Sequence, residues 1–412
     1  MDLVLRNARI LGHDYTQTFE IGIDGGRIVA IVPKLAIDAT SVAQQLDLGG
    51  RLVAPSFVET HIHLDKSCIL DRCRSEQGTL AEAIAQVGLQ KQAFTVEDVT
   101  ARARRTLEKA IAHGTGHMRT HVEVDPVIGL RGLDGVLPLI DEYRWAIDIE
   151  VCVFPQEGLT NNPGTDELLV QAMKRGATVI GAAPYTDTDP RAQIDRVFEI
   201  AREFDADIDM HLDFGESADH MDIEYVCEVT DRHNYGGRVT VGHVTKLALV
   251  EPARFAMISK TLAAAGVAVT VLPSTDLYLM GRARAYQKLR SVLALHEMLA
   301  HGVNGSLSSN NILNPFTPFG DCSLLRMANL YANICHVGKR DDIRECFELV
   351  TRRPARLLRR DDYGVEVGRS ADLVVLDTTA PEHAVAELAP VLYGFKRGRM
   401  TFSRQPVTLH RP

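Results

Sequence analysis

Eight short, nearly continuous apolar runs, each ending in polar residues, punctuate the middle of this 412-residue chain. They end at T-H-I-H after Val58, H-V-E-V-D around His121, F-P-Q-E-G around Gln156, A-P-Y-T-D around Tyr185, M-H-L-D around His211, G-H-V-T around His243, L-P-S-T-D around Asp276 and S-L-S-S-N-N around Asn310. Longer stretches with apolar residues at helical spacing lie between them. From Thr95 to His113, for example, Val99, Ala103, Leu107, Ala110 and Ile111 share one face. Thr95 and Asp98 there have the spacing of a capping box, and Gly114 stands where a helix would stop. Strand, loop and helix repeated eight times, with chemistry gathered at strand C-termini, predict an α/β fold, a (β/α)8 TIM barrel whose reactive face is built from those ends. The competing doubly wound sheet lacks support, since no G-x-G-x-x-G or G-x-x-x-x-G-K follows the first run.

The two ends of the chain have a different pattern. The first 51 residues alternate as sheets do, with Asp24-Gly25-Gly26 as a hairpin turn, and Tyr363–Asp377 and Leu392–Phe402 read as short strands separated by turn residues. Neither end would be stable alone. One small β-sandwich domain, residues 1–55 plus 361–412, is therefore expected, with the barrel, residues 56–360, inserted between.

A formal net charge of -9 provides no basic excess to hold nucleic acid or an anionic membrane, so neither is an expected partner. The N-terminal M-D-L-V-L-R-N-A-R-I interrupts its apolar residues with charge, which reads as neither signal peptide nor membrane helix and points to a cytoplasmic location. The sequence leaves room for a homo-oligomer. The seven cysteines are scattered and include no C-x-x-C, the pattern of reduced thiols rather than of disulfides or a thiolate zinc site. Cys68 and Cys73, though near the first histidine pair, are not expected to reach an ion.

That pair, His61 and His63, stands where the first strand would end. Residues i and i+2 of a strand share a face, so both imidazoles can address one ion. Two strand-end histidines with satisfied hydrogen bonds are the alternative for the pair taken alone. The later strand ends bearing His or Asn are what favour a site.

The order H-x-H, then one His at strand five, another at strand six and a polar residue after strand eight resembles the metal-dependent amidohydrolase superfamily, and within it the cytosine deaminase and N-isopropylammelide isopropylamidohydrolase group. The resemblance runs through R-N-A-R-I, I-D-G-G-R-I, A-P-S-F-V-E-T-H-I-H-L-D-K, H-M-R-T-H-V-E-V-D, V-F-P-Q-E-G, G-R-V-T-V-G-H-V-T and G-V-E-V-G-R-S-A-D-L-V-V-L-D. It implies one divalent ion, zinc or iron(II), held by His61, His63 and His211 with Asn310 nearby. Such an ion lowers the pKa of a water from about 15.7 to near 7, making hydroxide available to attack an electron-poor ring carbon. His243 would orient or polarise that water, and Gln156 would read the amide edge of a small heterocyclic substrate.

Two departures qualify the implied activity. The deaminases carry a proton-shuttling Glu three residues after the strand-five His, where this chain has Phe214, and an Asp after strand eight, where it has Asn310. A phenyl ring carries no proton, and a neutral amide is no base at neutral pH. Glu216 is the expected substitute, swung back by its loop, ahead of Asp213, which a regular strand would turn away; Asp65 and Lys66 are further candidates. Phe316 and Tyr278 are candidate stacking surfaces, and Phe214 would face the substrate. Lys66 is a candidate substrate-facing cation, with a rim ion pair to Asp65 or Glu59 as the alternative. His121, Glu123 and Asp276 would either orient a metal ligand or the barrel rim, or touch the substrate. No spacing among the remaining histidines suggests a second metal. The expected activity is C–N bond hydrolysis in a small nitrogen heterocycle; the alternatives are a catalytically weak or silent ligand-binding barrel and a non-deaminating cyclic amide hydrolase.

Overall fold

The computed structural model describes residues 1–36 and 41–410. Eight parallel strands form the expected barrel: β6 (Phe57–Ile62), β7 (Thr115–Glu123), β8 (Asp148–Phe154), β9 (Val179–Ile180), β10 (Asp207–Leu212), β11 (Val239–His243), β12 (Val267–Val271) and β13 (Gly305–Leu307), hydrogen-bonded in chain order. Its closure falls at the histidine pair, where Asn310 N donates to His61 O (2.8 Å) and His63 N donates to Asn310 O (2.9 Å). The last strand's polar end is thereby fixed beside the first strand's histidines.

Period-two alternation explains the barrel's two faces. On β10, Ile208, Met210 and Leu212 join the apolar core, leaving Asp209 and His211 on the opposite face, and all are buried. Helix Val96–Ala112 begins as anticipated, the Thr95 hydroxyl accepting from Asp98 N. The box is not reciprocal, because the Asp98 carboxylate is taken by Arg72 and Arg102. Gly114 ends that helix at φ +91°, and a Cβ there would stand 2.9 Å from Val374 and 3.1 Å from Phe57. Both the turn and the close approach require glycine.

The chain ends build a single mixed sheet. It contains β1 (Leu3–Ile10), β2 (Phe19–Asp24), β3 (Arg27–Val32), β4 (Gln44–Asp47), β5 (Leu52–Pro55), β14 (Leu373–Leu376), β15 (Val391–Lys396) and β16 (Arg399–Ser403). Gly25 and Gly26, at φ +55° and +79°, form the β2–β3 hairpin turn. Tyr363–Asp377 is strand only over Leu373–Leu376, apart from an isolated bridge at Ser370. Its earlier residues run as turns because Gly364 (φ +137°) and Gly368 (φ +92°) break the extended backbone.

Sheet and barrel meet over a buried ionic cluster. Lys396 Nζ lies 2.7 Å from both Asp148 and Asp372, with His117 beside the two carboxylates at 3.5 and 3.4 Å. This is a second grouping of potential metal ligands that spacing did not suggest, and the ammonium already supplies its cation. Burial by itself would raise the Asp372 carboxyl, but His117 and Lys396 outweigh it and hold it well below the usual carboxylate range. A depressed folded-state pKa stabilises fully above the unfolded value of about 3.9 and is lost as pH falls. Urea midpoints should therefore drop on acidification below about pH 4. Lys396→Met should cost about 3–5 kcal/mol at pH 7 and flatten the part of that acid dependence carried by Asp372.

The seven cysteines are unpaired. Among the described residues no helix is long and apolar enough to cross a membrane.

Candidate active site

Three imidazoles converge inside the C-terminal end of the barrel. His61 Nε2 and His63 Nε2 lie 3.0 and 3.1 Å from His211 Nε2, and all three rings are buried. Two nitrogens bound to one tetrahedral ion at 2.0–2.1 Å stand about 3.3 Å apart, so the cluster needs to open by only a few tenths of an ångström to hold a divalent ion. Burial holds all three pKa values well below that of free histidine, which favours the neutral, ligating form. Gly242 makes room for this arrangement, since a Cβ there would sit 3.2 Å from His61 Nδ1. Asn310 adds a buried Oδ1 with no hydrogen-bond partner, an acceptor left over for water or a cation. This donor set fits zinc or iron(II).

His243, at the end of β11, has its tautomer fixed from behind. Its Nδ1 lies 2.6 Å from Asp276 Oδ1, and its Nε2 lies 3.4 Å from Asn310 Nδ2. An ionised Asp276 only accepts, so Nδ1 carries the hydrogen and Nε2 keeps its lone pair. Burial raises the Asp276 pKa, and the attraction of His243 opposes that rise. Asp276 lies beyond β12, in the short helix Pro273–Leu279. It therefore orients a histidine, one of the two roles its spacing suggested.

A small cavity is lined by His63, His211, His243 and Asn310 together with Gln156, Lys66, Phe214 and Phe316. Lys66 is buried, and its ammonium donates to Glu123 Oε1 (2.5 Å) and stands 4.2 Å above the Phe316 ring. The alternative rim pair with Asp65 or Glu59 does not form. Asp65 instead accepts from Glu123 N (2.9 Å), and Glu59 accepts from His61 N and Ser309 N across the barrel closure. Burial pushes the Glu59 carboxyl up to about 7.

Glu216 is not brought into the cavity. Gly215 (φ +159°) carries the loop outward, and the Glu216 carboxylate accepts from Arg282 N at the rim (3.0 Å). Asp213 turns away as expected, accepting from Asp222 N and Ile223 N. Tyr278 is likewise outside the cavity lining, packing on Phe319 beneath the Arg282 guanidinium. Cys68 contacts the Thr106 hydroxyl (3.5 Å), not the histidines.

Sequence reading named His121 as a possible orienter but missed Asp209 and Arg119 behind it. His121 stacks on His61 at 3.7 Å between ring centroids, and its Nε2 lies 3.5 Å from Asp209, which Arg119 Nη1 holds at 2.8 Å. Burial would raise the Asp209 carboxyl, but His121, His61 and Arg119 together hold it far below the usual range. Asp209 stands two residues before His211, and that i, i−2 spacing was the available signal that both face inward.

The model of the amidohydrolase family matches residues 44–135 and 140–402. The chain belongs to the amidohydrolase family. This amidohydrolase is 29% identical over 408 residues to N-isopropylammelide isopropyl amidohydrolase of Pseudomonas sp. (strain ADP), covering 97% of this chain and 96% of that protein. It is 28% identical to pterin deaminase of Rhizobium rhizogenes, covering 86% and 81%. Among solved structures, 5-methylcytosine deaminase from Klebsiella pneumoniae liganded with 5-fluorocytosine superposes with a TM-score of 0.94 at 29% identity, covering 99% of each chain. The protein is an amidohydrolase-family hydrolase acting on carbon–nitrogen bonds, deaminase-like.

Proposed function

We propose that this amidohydrolase hydrolyses a C–N bond of a small nitrogen heterocycle, using one divalent ion, zinc or iron(II), held by His61, His63 and His211 with Asn310 beside them. The observation that carries the reading is the convergence of three buried Nε2 atoms, two of them from His63 and His211 on the cavity wall. The relatives named for pterin, 5-methylcytosine and N-isopropylammelide support a heterocyclic substrate. When bound, the ion supplies Lewis acidity and a nucleophile at neutral pH.

The chain's own residues do the rest. His243 Nε2, which bears the lone pair of the neutral ring because Asp276 holds the hydrogen at Nδ1, takes the proton released as water attacks and returns it to the leaving nitrogen. Asn310 Nδ2 directs that lone pair and its Oδ1 orients the attacking water. Gln156 aligns the ring through its amide, while Phe214 and Phe316 enclose it and exclude bulk solvent. Proton transfer therefore centres on a histidine rather than on the carboxylates of the deaminases. Asp276→Asn should favour the wrong His243 tautomer, cutting kcat by about 10²-fold with a smaller change in KM and a shifted pH profile. An unchanged pH profile would assign Asp276 to packing alone.

The direct test combines metal analysis of the purified protein with a screen for ammonia or amine release from pyrimidines, pterins and triazines. About one zinc or iron per chain and turnover of at least one compound are expected. Protein that retains no ion after reconstitution, or that is fully metallated and silent across the panel, would defeat the proposal.

A further inference from the structure

The cavity has a charge pattern that proton transfer does not explain. Its thirteen lining residues include one lysine and no aspartate or glutamate. The Lys66 ammonium faces Gln156 Oε1 at 3.4 Å. Lysine only donates, so this contact fixes the orientation of the Gln156 amide: its oxygen turns to Lys66 and its NH2 group turns away. Gln156 Nε2 is buried and has no partner. A buried donor left unsatisfied forfeits its solvation, which argues that a ligand atom satisfies it.

Tyr185 completes this wall. It lines the cavity, and its phenolic hydroxyl can donate a hydrogen bond there. Ammonium, amide N–H and phenol are thus three donors side by side. The carboxylate behind them, Glu123, bridges Lys66 (2.5 Å) and Lys91 (2.6 Å), and Lys91 is further paired with Asp125 and Glu157; none of these carboxylates lines the cavity.

The rim repeats the same sign. Arg282, Arg284, Lys288 and Arg290 fall within nine residues that contain no acid, and all four are exposed. The segment begins three residues after Leu279 of the cavity wall, and Arg282 Nη1 ties it to Gln77 O (3.2 Å), near the lining residue Leu80. A cationic approach on a chain of net charge -9 concentrates anions at the mouth.

We propose that this wall selects anionic, oxo-substituted nitrogen heterocycles, rings that present adjacent oxygen acceptors to Lys66, Gln156 and Tyr185, and that Tyr185 is a specificity-determining residue. An amino-edged ring such as cytosine would set N–H against N–H here and leave the donors unpaired. The proposal rests on the hydrolase reading for what becomes of the ligand, whereas its recognition can be measured separately.

Three probes separate charge from edge: barbiturate is an anionic trioxo ring, uracil a neutral dioxo ring and cytosine a ring with one amino edge. Each is titrated at equilibrium into the metal-loaded protein, its Lys66→Met and Tyr185→Phe variants, and the metal-free His63→Ala protein. Barbiturate should bind at least about tenfold tighter than cytosine, with uracil between. Lys66→Met should erase most of that advantage, and Tyr185→Phe should reduce it about fivefold with little effect on cytosine. The preference should survive in His63→Ala, which lacks the ion that would otherwise attract the anion. Equal or tighter binding of cytosine, a preference that vanishes in His63→Ala, or one indifferent to both wall variants would overturn the proposal. Barbiturate preference without turnover across the panel would reject the hydrolase reading and leave this one standing; turnover of a neutral amino ring without that preference would do the reverse.

Discussion

Exchanging Phe214 for Glu and Asn310 for Asp in one protein is expected to raise cytosine deamination by about 10²-fold or more over the parent, with smaller gains from either change alone. The Phe214 ring lies 4.8 Å from the His243 ring and lines the cavity, so a carboxyl at this position reaches the ring-binding space. It would supply both the proton carrier and the acceptor that the donor-only wall lacks. Asn310 approaches His243 Nε2 at 3.4 Å, and an Asp there would replace a neutral amide with a charge that raises the basicity of the pair. General acid or base help is worth about 10²–10⁴-fold per group, and the two act on the same proton path, so their effects should not simply add. Steady-state ammonia release on metal-loaded protein decides it. A double variant that keeps its ion and remains inactive would mean that the cavity's donor wall, not proton transfer, bars cytosine.

His63→Ala is expected to lower retained metal at least tenfold and reduce turnover to background, while the far-ultraviolet circular dichroism stays that of the parent and the urea midpoint stays near that of the metal-free parent. His63 suits this test better than His61, because the His61 ring also stacks on His121 and fills the space beside Gly242. Losing one of three imidazoles leaves two nitrogens and an amide oxygen, too few strong donors to hold the ion against dialysis. Stoichiometric metal and substantial activity in this variant would remove His63 from the ligand set.

The barrel was legible because its signal is local. A buried parallel strand must be apolar and short, and the polar residues beyond each strand end have only the mouth to face, so eight such runs name the fold and the face that carries chemistry. Phe214 and Asn310 were equally visible, as positions where the resemblance to the deaminases implies acids. The fate of Glu216 was not, because a loop's direction depends on Gly215 and on the Arg282 N–H that captures the carboxylate from a segment 66 residues away in sequence. The partners of Lys66 were misjudged for a similar reason: Asp65 and Glu59 are close in sequence, but the ammonium meets Glu123, from the neighbouring strand.

By itself, the sequence determined the alternation that closes a barrel and which staves carry His61, His63, His211 and His243, since both follow from periodicity and order along the chain. Only the tertiary structure decided that Asp276 orients His243, that Asp209 and Arg119 brace His121 under His61, and that the cavity wall offers donors without a carboxylate. Those relations join residues from different strands and loops, where hydrogen-bond geometry and burial rather than spacing along the chain choose the partner.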